Sequence, residues 1–502
     1  MKFWTDKNNQ KLILMIFGII SVAFLINILL KLHMYGQRTT YAGESWLSTV
    51  SSIYVENWLA DGITNLKFAM IRTFDSIEMR NLYDREVYAS FLPGCLFIPY
   101  IIAKVFSIKP TLIYIESIAS AFHYLGALVS ALITFLLCRR LELSKDKTFW
   151  YSVFTGLAYI YSYTNFRILI FGYYTDTSIY LLYVIFLLTE FTKNTNLRLM
   201  QKAVMIFLGF FHEWFFVSIT LVSIFSEVNR EEGKKRIGQI LFFHLTPTLM
   251  ALGIYGYHLH ILDKLEHSID RMLRRSAFNP VSSSSFDQNY GDLWKQLFHH
   301  NRYTIIFTTI TTIWAGLESK IFKDNEVYKS VLIVAFGSSI LQLIIALQHS
   351  AEHLFVGIKL LIPLGIFLPF FFDEISSFLS ERIRPKFIMI SLSLILLVNL
   401  AVDGFTLASF MPEHPIYKKL DTVFSKYGYE DLFFSYNLEI LLDKYPKFDI
   451  KTSEIDVKPS DRVEGEPYLH YSSKKQVYLI DEPKDILKML DNRKLHGKAK
   501  VH

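Results

Sequence analysis

The sequence predicts an α-helical multi-pass membrane protein with a small α/β domain at its C-terminal end. Three observations carry this. Of 502 residues, 52% are hydrophobic and 16% aromatic, with a mean hydropathy of +0.29, outside the range of ordinary soluble domains. Apolar runs near the length of a bilayer span, about 20 residues, recur along residues 1–408. The basic residues fall in short clusters between those runs, a pattern that orients spans rather than binds nucleic acid. Membrane lipids are therefore expected partners, nucleic acid is not, and the expected location is the cell (plasma or inner) membrane.

The first element is a Lys-bearing tail followed by an apolar run at 12–31. That run is too long for the core of a signal peptide and no small-residue cleavage site follows it. It reads as an uncleaved first span with a cytoplasmic N-terminus, which makes residues 32–108 the first extracytoplasmic loop. Within the loop, Leu47, Val50, Tyr54 and Trp58 share one helical face, predicting a helix that lies on the membrane surface. Residues 91–106 are apolar but interrupted by Pro93, Gly94 and Pro99, the signature of an interfacial or re-entrant helix.

Span 2 (about 111–138) ends in Arg139-Arg140, a cytoplasmic signal that Lys145 and Lys147 extend. Spans 3 (149–164) and 4 (168–191) turn through Asn165-Phe166-Arg167 and return to Lys193, Arg198 and Lys202. The run at 203–225 then has basic residues on both flanks, Lys202 before it and Arg230, Lys234, Lys235 and Arg236 after it. One span cannot keep both ends on one side. Two half-length helices, spans 5 and 6, turning at His212-Glu213-Trp214 resolve this; the alternative is a single span beside an exposed basic loop.

Span 7 (237–258) leads to a polar outer loop at 259–302, and spans 8 to 11 follow at 303–319, 330–347, 353–372 and 387–408, about eleven in all. Residues 409–502 read as a separate extracytoplasmic α/β domain. In it, Gln476–Ile480 and Leu432–Phe434 form strands, with helices at 484–490 and 439–443. Cys95 is placed near the outer face and Cys138 at the cytoplasmic end of span 2, so the two are not expected to bridge.

The chemistry centres on Glu44, about a dozen residues past the first span, in Tyr41-Ala-Gly-Glu-Ser-Trp46. A carboxylate partly desolvated at a lipid–water boundary has its pKa raised toward neutrality, where a general base works well. The structural alternative is an acid complementing a helix N-terminus. Asp176 follows two tyrosines at a span mouth, where stray charge is costly, and reads as an acceptor contact or an interfacial acid.

Cations that could hold a phosphate are Arg271 and Arg274 on one helix face, Arg167 at an outer mouth, and Lys359 inside span 10. His212, Glu213, His349 and His353 form no compact metal-ligand spacing. Hydrogen bonds to a donor headgroup are the expected role, with no metal or other cofactor.

An outer acid after span 1, a helix ending in Asp61-Gly62, the Pro93-Gly94 segment and an Arg-Arg-terminated span 2 together resemble the GT-C superfamily. Its relatives include polyprenyl-phosphate-sugar enzymes such as the aminoarabinose and protein O-mannosyl transferases. The resemblance implies Glu44 as catalytic base, although Gly43-Glu44 stands where relatives carry Asp-Glu. Gly172-Tyr-Tyr-Thr-Asp176 resembles an acceptor-side turn, and His349-Ser-Ala-Glu-His-Leu-Phe355 running into Pro363 resembles a donor-side pattern. At the turn of spans 5 and 6, His212-Glu213 replaces the Lys-Gly of many relatives.

The implied activity is metal-independent, inverting transfer of a sugar from a polyprenyl-phosphate donor. The acceptor would be a hydroxyl of a glycan, lipid or protein at the outer membrane face. The rivals are a polysaccharide polymerase or ligase, whose large loop comes late, and a lipid-sugar transporter (flippase), which would show two related halves.

Overall fold

The structure is a computed structural model. It describes residues 6–35, 45–71, 87–89, 92–161, 173, 175–266, 268–269, 294–295, 305–314, 325–347, 350, 358–379, 383, 386–396, 433–434, 468–471 and 476–480. Helix α1 (Lys7–Tyr35) is followed by α2 (Ser45–Asp61) and a two-stranded antiparallel pair, β1 (Met70–Ile71) with β2 (Val87–Tyr88). Then come α3 (Gly94–Phe106), α4 (Leu112–Arg140), α5 (Lys145–Ile160), α6 (Thr175–Leu188), α7 (Thr195–Phe210), α8 (Phe215–Val228) and α9 (Ile237–Ile261). After them the structure describes α10 (Ile305–Trp314), α11 (Glu326–Ile345), α12 (Ile358–Ile375) and α13 (Lys386–Leu396).

Polar caps fix several starts. Side-chain oxygens of Thr111, Ser144, Asn194 and Asn325 accept from backbone N–H groups two or three residues into α4, α5, α7 and α11, satisfying donors that a helix leaves orphaned.

Contacts between elements set the helix directions. The Arg140 guanidinium lies over Phe191, Arg230 pairs with Glu190, Lys147 with Asp373, and the N–H of Glu231 donates to Glu326. These gather the ends of α4, α6, α8 and α12 and the starts of α5, α7 and α11 at one basic end. At the far end, Tyr161 donates to the Ala23 carbonyl, and Lys359 meets Glu213. The chain therefore runs back and forth between two ends.

Lys7–Leu29, Ile113–Arg140, Gly233–Ile261 and Glu326–Ile345 are long and apolar enough to cross a membrane. The outward faces of α1 (Leu14, Val22, Leu25) and α9 (Phe242, Leu249, Met250) are exposed and apolar, as contact with lipid requires. Inside, aromatic side chains interlock the helices. Tyr183 meets Phe215 edge-on at 4.9 Å, and Tyr328 does the same to Phe367 and Phe370 at 5.3 and 5.5 Å.

The run at 203–225 does break into two helices. Arg198 and Lys202 of α7 face Glu227 and Ser223 of α8, which is antiparallel pairing about a reversal at Phe211–Trp214. Gly209 permits the close approach, because a Cβ there would sit 2.2 Å from the Phe216 ring.

Helix α2 departs from expectation. Its face of Val50, Tyr54 and Trp58 is buried within the protein against Cys95, Tyr100, Ile115 and Phe122 rather than turned to a membrane surface, and the Leu47 side chain lies outside the described residues. The Trp58 Nε1 donates to the Ala69 carbonyl at 2.7 Å and the Asn57 amide to Ile71 at 3.0 Å. The loop and the first turns of α4 together supply the apolar cover that lipid was expected to provide. Helix α3 keeps an outward apolar face, with Ile98, Ile101, Val105 and Phe106 exposed, although Pro99 lies inside it.

In the C-terminal region, β5 (Gln476–Ile480) pairs parallel with β3 (Phe433–Phe434) and antiparallel with β4 (Tyr468–Tyr471). The helices expected at 439–443 and 484–490 lie outside the described residues.

Candidate functional site

Four segments converge at the far end. Ser48, in the first turn of α2, accepts the N–H of Tyr173 at 2.7 Å, and Ser51 one turn on donates to the Tyr173 carbonyl at 3.0 Å. The Tyr173 hydroxyl donates to the carbonyl of Cys95 in α3. The N–H of Gly94, beside it, donates to the carbonyl of Phe211 at 2.7 Å, at the start of the α7–α8 reversal. Two residues further, Glu213 reaches Lys359 in the first turn of α12.

These bonds tie the segment that follows Glu44 to the segment that leads into Asp176. Glu44 directly precedes Ser45, and Asp176 lies in the first turn of α6, three residues after Tyr173. Tyr173 is fully buried, with its backbone and its hydroxyl both engaged, so it joins α2 to α3. The sequence reading singled out the Gly172–Asp176 turn but not this role. The signal available to it was the pair Ser48 and Ser51, about one helical turn apart near the start of α2.

Gly94 has a steric reason to be glycine. A Cβ there would lie 2.5 Å from the Phe211 oxygen it bonds. The Pro93-Gly94 segment thus lets α3 dock against the α7–α8 reversal at backbone distance.

Glu213 and Lys359 form a buried ion pair. Glu213 Oε1 accepts from Lys359 Nζ at 2.7 Å, with Lys359 completely buried and Glu213 6% exposed. The ammonium sits 5.0 Å from the Phe215 ring centroid, a cation–π distance. The Lys359 carbonyl accepts from Ser339 at 2.6 Å, and Ser339 approaches the Tyr183 hydroxyl at 3.2 Å, so α12 is also anchored to α11 and α6. The second carboxylate oxygen of Glu213 has no hydrogen-bond partner among the described residues. The ammonium's charge is compensated by the carboxylate, and the second carboxylate oxygen keeps the capacity to accept one further hydrogen bond. His212, next in the chain, does not join the pair; its Nδ1 bonds the Leu208 carbonyl at 2.9 Å.

The expected site residues thus fall into three groups. Glu213 and Lys359, proposed separately for donor contact, are direct partners. Asp176 is placed by its backbone, with its side chain outside the described residues. Glu44, Arg167, Arg271, Arg274, His349 and His353 also lie outside them. Among the described residues there is no group of three or more His, Cys, Asp or Glu side chains arranged to hold a metal.

The basic end carries a different cluster. Lys202 Nζ is 2.6 Å from both Glu190 Oε1 and Glu227 Oε1. Arg198 grips both oxygens of Glu227 at 2.9 and 3.0 Å, and Arg230 pairs with Glu190. Lys202 also reaches Ser223 at 3.2 Å, which in turn contacts His244 Nε2 at 3.0 Å. The sequence marks Arg198, Lys202 and Arg230 only as basic flanks of the apolar runs, whereas in the fold all three are buried and share the two carboxylates of Glu190 and Glu227.

Neither a protein-family model nor a curated protein matches the chain. Among solved structures it is similar to an oligosaccharyltransferase of Archaeoglobus fulgidus tethered to an acceptor peptide containing the NVT sequon. The TM-score is 0.43 and the identity 12%, over 85% of this chain and 58% of that one. It is also similar to the archaeal oligosaccharyltransferase AglB from Archaeoglobus fulgidus in complex with an inhibitory peptide and a dolichol-phosphate. There the TM-score is 0.44 and the identity 11%, over 82% of this chain and 58% of that one. The chain thus spans 58% of the length of each, and identities this low give no residue-to-residue correspondence.

Proposed function

We propose that this protein is a membrane glycosyltransferase of the GT-C kind. In this reading it moves a sugar from a polyprenyl-phosphate donor to an acceptor hydroxyl at the extracytoplasmic face, with inversion. The observation that carries the reading is the convergence at the far end. The helix that follows Glu44, the turn that leads into Asp176, the Gly94 segment and the Glu213–Lys359 pair are linked by consecutive hydrogen bonds.

The division of labour follows from the chemistry. A phosphate leaves readily as an anion, so the demanding tasks are removing the acceptor proton and holding the departing phosphate. Glu44 takes the proton as the acceptor oxygen attacks the anomeric carbon from the face opposite the phosphate. Asp176 orients the acceptor. Lys359, held in place by Glu213 and Phe215, supplies positive charge to the phosphate, with Arg167, Arg271, Arg274, His349 and His353 as further donor-side contacts and His212 shaping the turn. No metal is assigned a role. Eleven crossings, a cytoplasmic basic end and an extracytoplasmic domain at 409–502 belong to the same reading.

The test is transfer from a polyprenyl-phosphate sugar by purified protein, with Glu44→Gln as the decisive variant. A folded Glu44→Gln protein should lose about 10²–10⁴-fold in turnover, the usual contribution of a general base. Undiminished turnover in that variant removes the assignment of Glu44. Movement of the lipid-linked sugar across a vesicle membrane without transfer replaces the enzyme reading by a transporter.

A further inference from the structure

A groove of about 420 Å³ opens between the end of α6 and the start of α7. Ile185, Leu188, Met200 and Val204 form its apolar wall, while Thr192 and Gln201 lie at its polar end, joined by a 2.7 Å hydrogen bond. Met200 and Val204 are 51% and 53% exposed, so the groove opens on the outward surface of the helices, where lipid chains lie if these helices are in a bilayer.

The polar end adjoins an excess of positive charge. Arg198 donates to the Thr192 carbonyl at 3.1 Å and continues into the cluster of Lys202, Arg230, Glu190 and Glu227. Two further cations add to it. Lys193 is exposed next to Thr192, and the exposed Arg140 lies with its guanidinium 6.0 Å from the Phe191 ring. Arg140 has no carboxylate partner among the described residues, and its charged neighbour is another cation, Arg230. Five cations thus face two carboxylates, a surplus of three positive charges, and Arg140 and Lys193, the two exposed ones, have no carboxylate partner among the described residues.

We infer that this groove is a binding site for one anionic glycerophospholipid, an acyl chain lying along Ile185, Leu188, Met200 and Val204 and the phosphate at Arg140 and Lys193. Charge complementarity selects the occupant. A basic pocket between membrane helices attracts an anionic headgroup, at about 1 kcal/mol per nearby cation, while a zwitterionic lipid gains much less. The site is at the opposite end from the Glu213–Lys359 pair and does not depend on the transferase reading.

The probe is phosphatidylglycerol. Full-length protein would be released from nanodiscs of equimolar phosphatidylglycerol and phosphatidylcholine, and retained lipid counted by native mass spectrometry. The expected result is one phosphatidylglycerol retained at least about five-fold over phosphatidylcholine, since about 1 kcal/mol corresponds to that ratio. Arg140→Gln should lower the preference, and Val204→Trp, which fills the groove from an exposed position, should lower retention of either lipid. Equal retention of the two lipids, or no change in both variants, overturns the site. Displacement of phosphatidylglycerol by equimolar polyprenyl phosphate overturns the assignment of the occupant and gives the groove to a prenyl chain.

Discussion

Lys359 and Glu213, 146 residues apart in the chain, meet at 2.7 Å with both side chains buried. One starts α12 and the other turns α7 into α8, so the contact joins two parts of the fold that share no sequence neighbourhood. Removing either partner leaves an uncompensated charge, at a cost of about 3–5 kcal/mol, whereas replacing both by apolar residues of similar size is close to neutral. Lys359→Met and Glu213→Leu should each lower the melting temperature, and the double variant should recover it. If Lys359 also holds the donor phosphate, the double variant stays inactive with its melting temperature restored. Recovered activity in the double variant would reduce the pair to a structural role.

Gly94 gives a second prediction. Alanine there puts a Cβ 2.5 Å from the Phe211 oxygen, and because the clash is with backbone, α3 or the α7–α8 reversal must shift. Overpacking of this kind costs about 1–3 kcal/mol. Gly94→Ala should therefore lower thermal stability and disturb the far end. A melting temperature equal to that of the parent would show that the segment has room to relax.

Ser48 and Tyr173 separate two kinds of loss. Tyr173→Phe removes a hydroxyl and leaves only one carbonyl short of a donor, a net loss of about 1 kcal/mol. Ser48→Ala strands the buried N–H of Tyr173, a penalty of about 1–3 kcal/mol. The serine variant should be the more damaging in denaturation and in turnover, although it changes the smaller side chain. The reverse order would mean that the backbone of Tyr173 finds another acceptor.

At the basic end, Glu227→Gln leaves Arg198, Lys202 and Arg230 with Glu190 as their one remaining carboxylate partner in the cluster. The expected cost is about 3–5 kcal/mol. Because these groups are buried, added salt should not restore stability in the variant or erode it in the parent. A parent protein that loses stability in molar salt would place the cluster in contact with solvent.

How much of this was legible in the sequence depends on whether the controlling interaction is local. The break at His212–Trp214 was readable because Lys202 and Arg230 flank one apolar run, and two like-charged ends demand a reversal. The strand at Gln476–Ile480 was readable from its run of β-branched and aromatic residues and the turn after it. The burial of α2 was not, since Val50, Tyr54 and Trp58 make the same stripe whether lipid or Tyr100 and Phe122 cover it. The partner of Lys359 was likewise hidden. Its position inside an apolar run marked it as costly to bury, but spacing along a chain cannot reveal a carboxylate 146 residues away. Glu190 and Glu227 carried a usable signal, as acids set beside apolar runs whose cations otherwise looked like loop residues.

The α7–α8 hairpin also constrains how the chain is made. With 16 and 14 residues, its arms are about 24 and 21 Å long, against about 30 Å for the hydrocarbon layer. Arg198 and Lys202 on one arm and Glu227 on the other burden each helix with charge that it cannot neutralise alone. Neither arm is fit to leave the insertion machinery first. On the proposed topology, the two enter the bilayer together during biogenesis, already folded against each other.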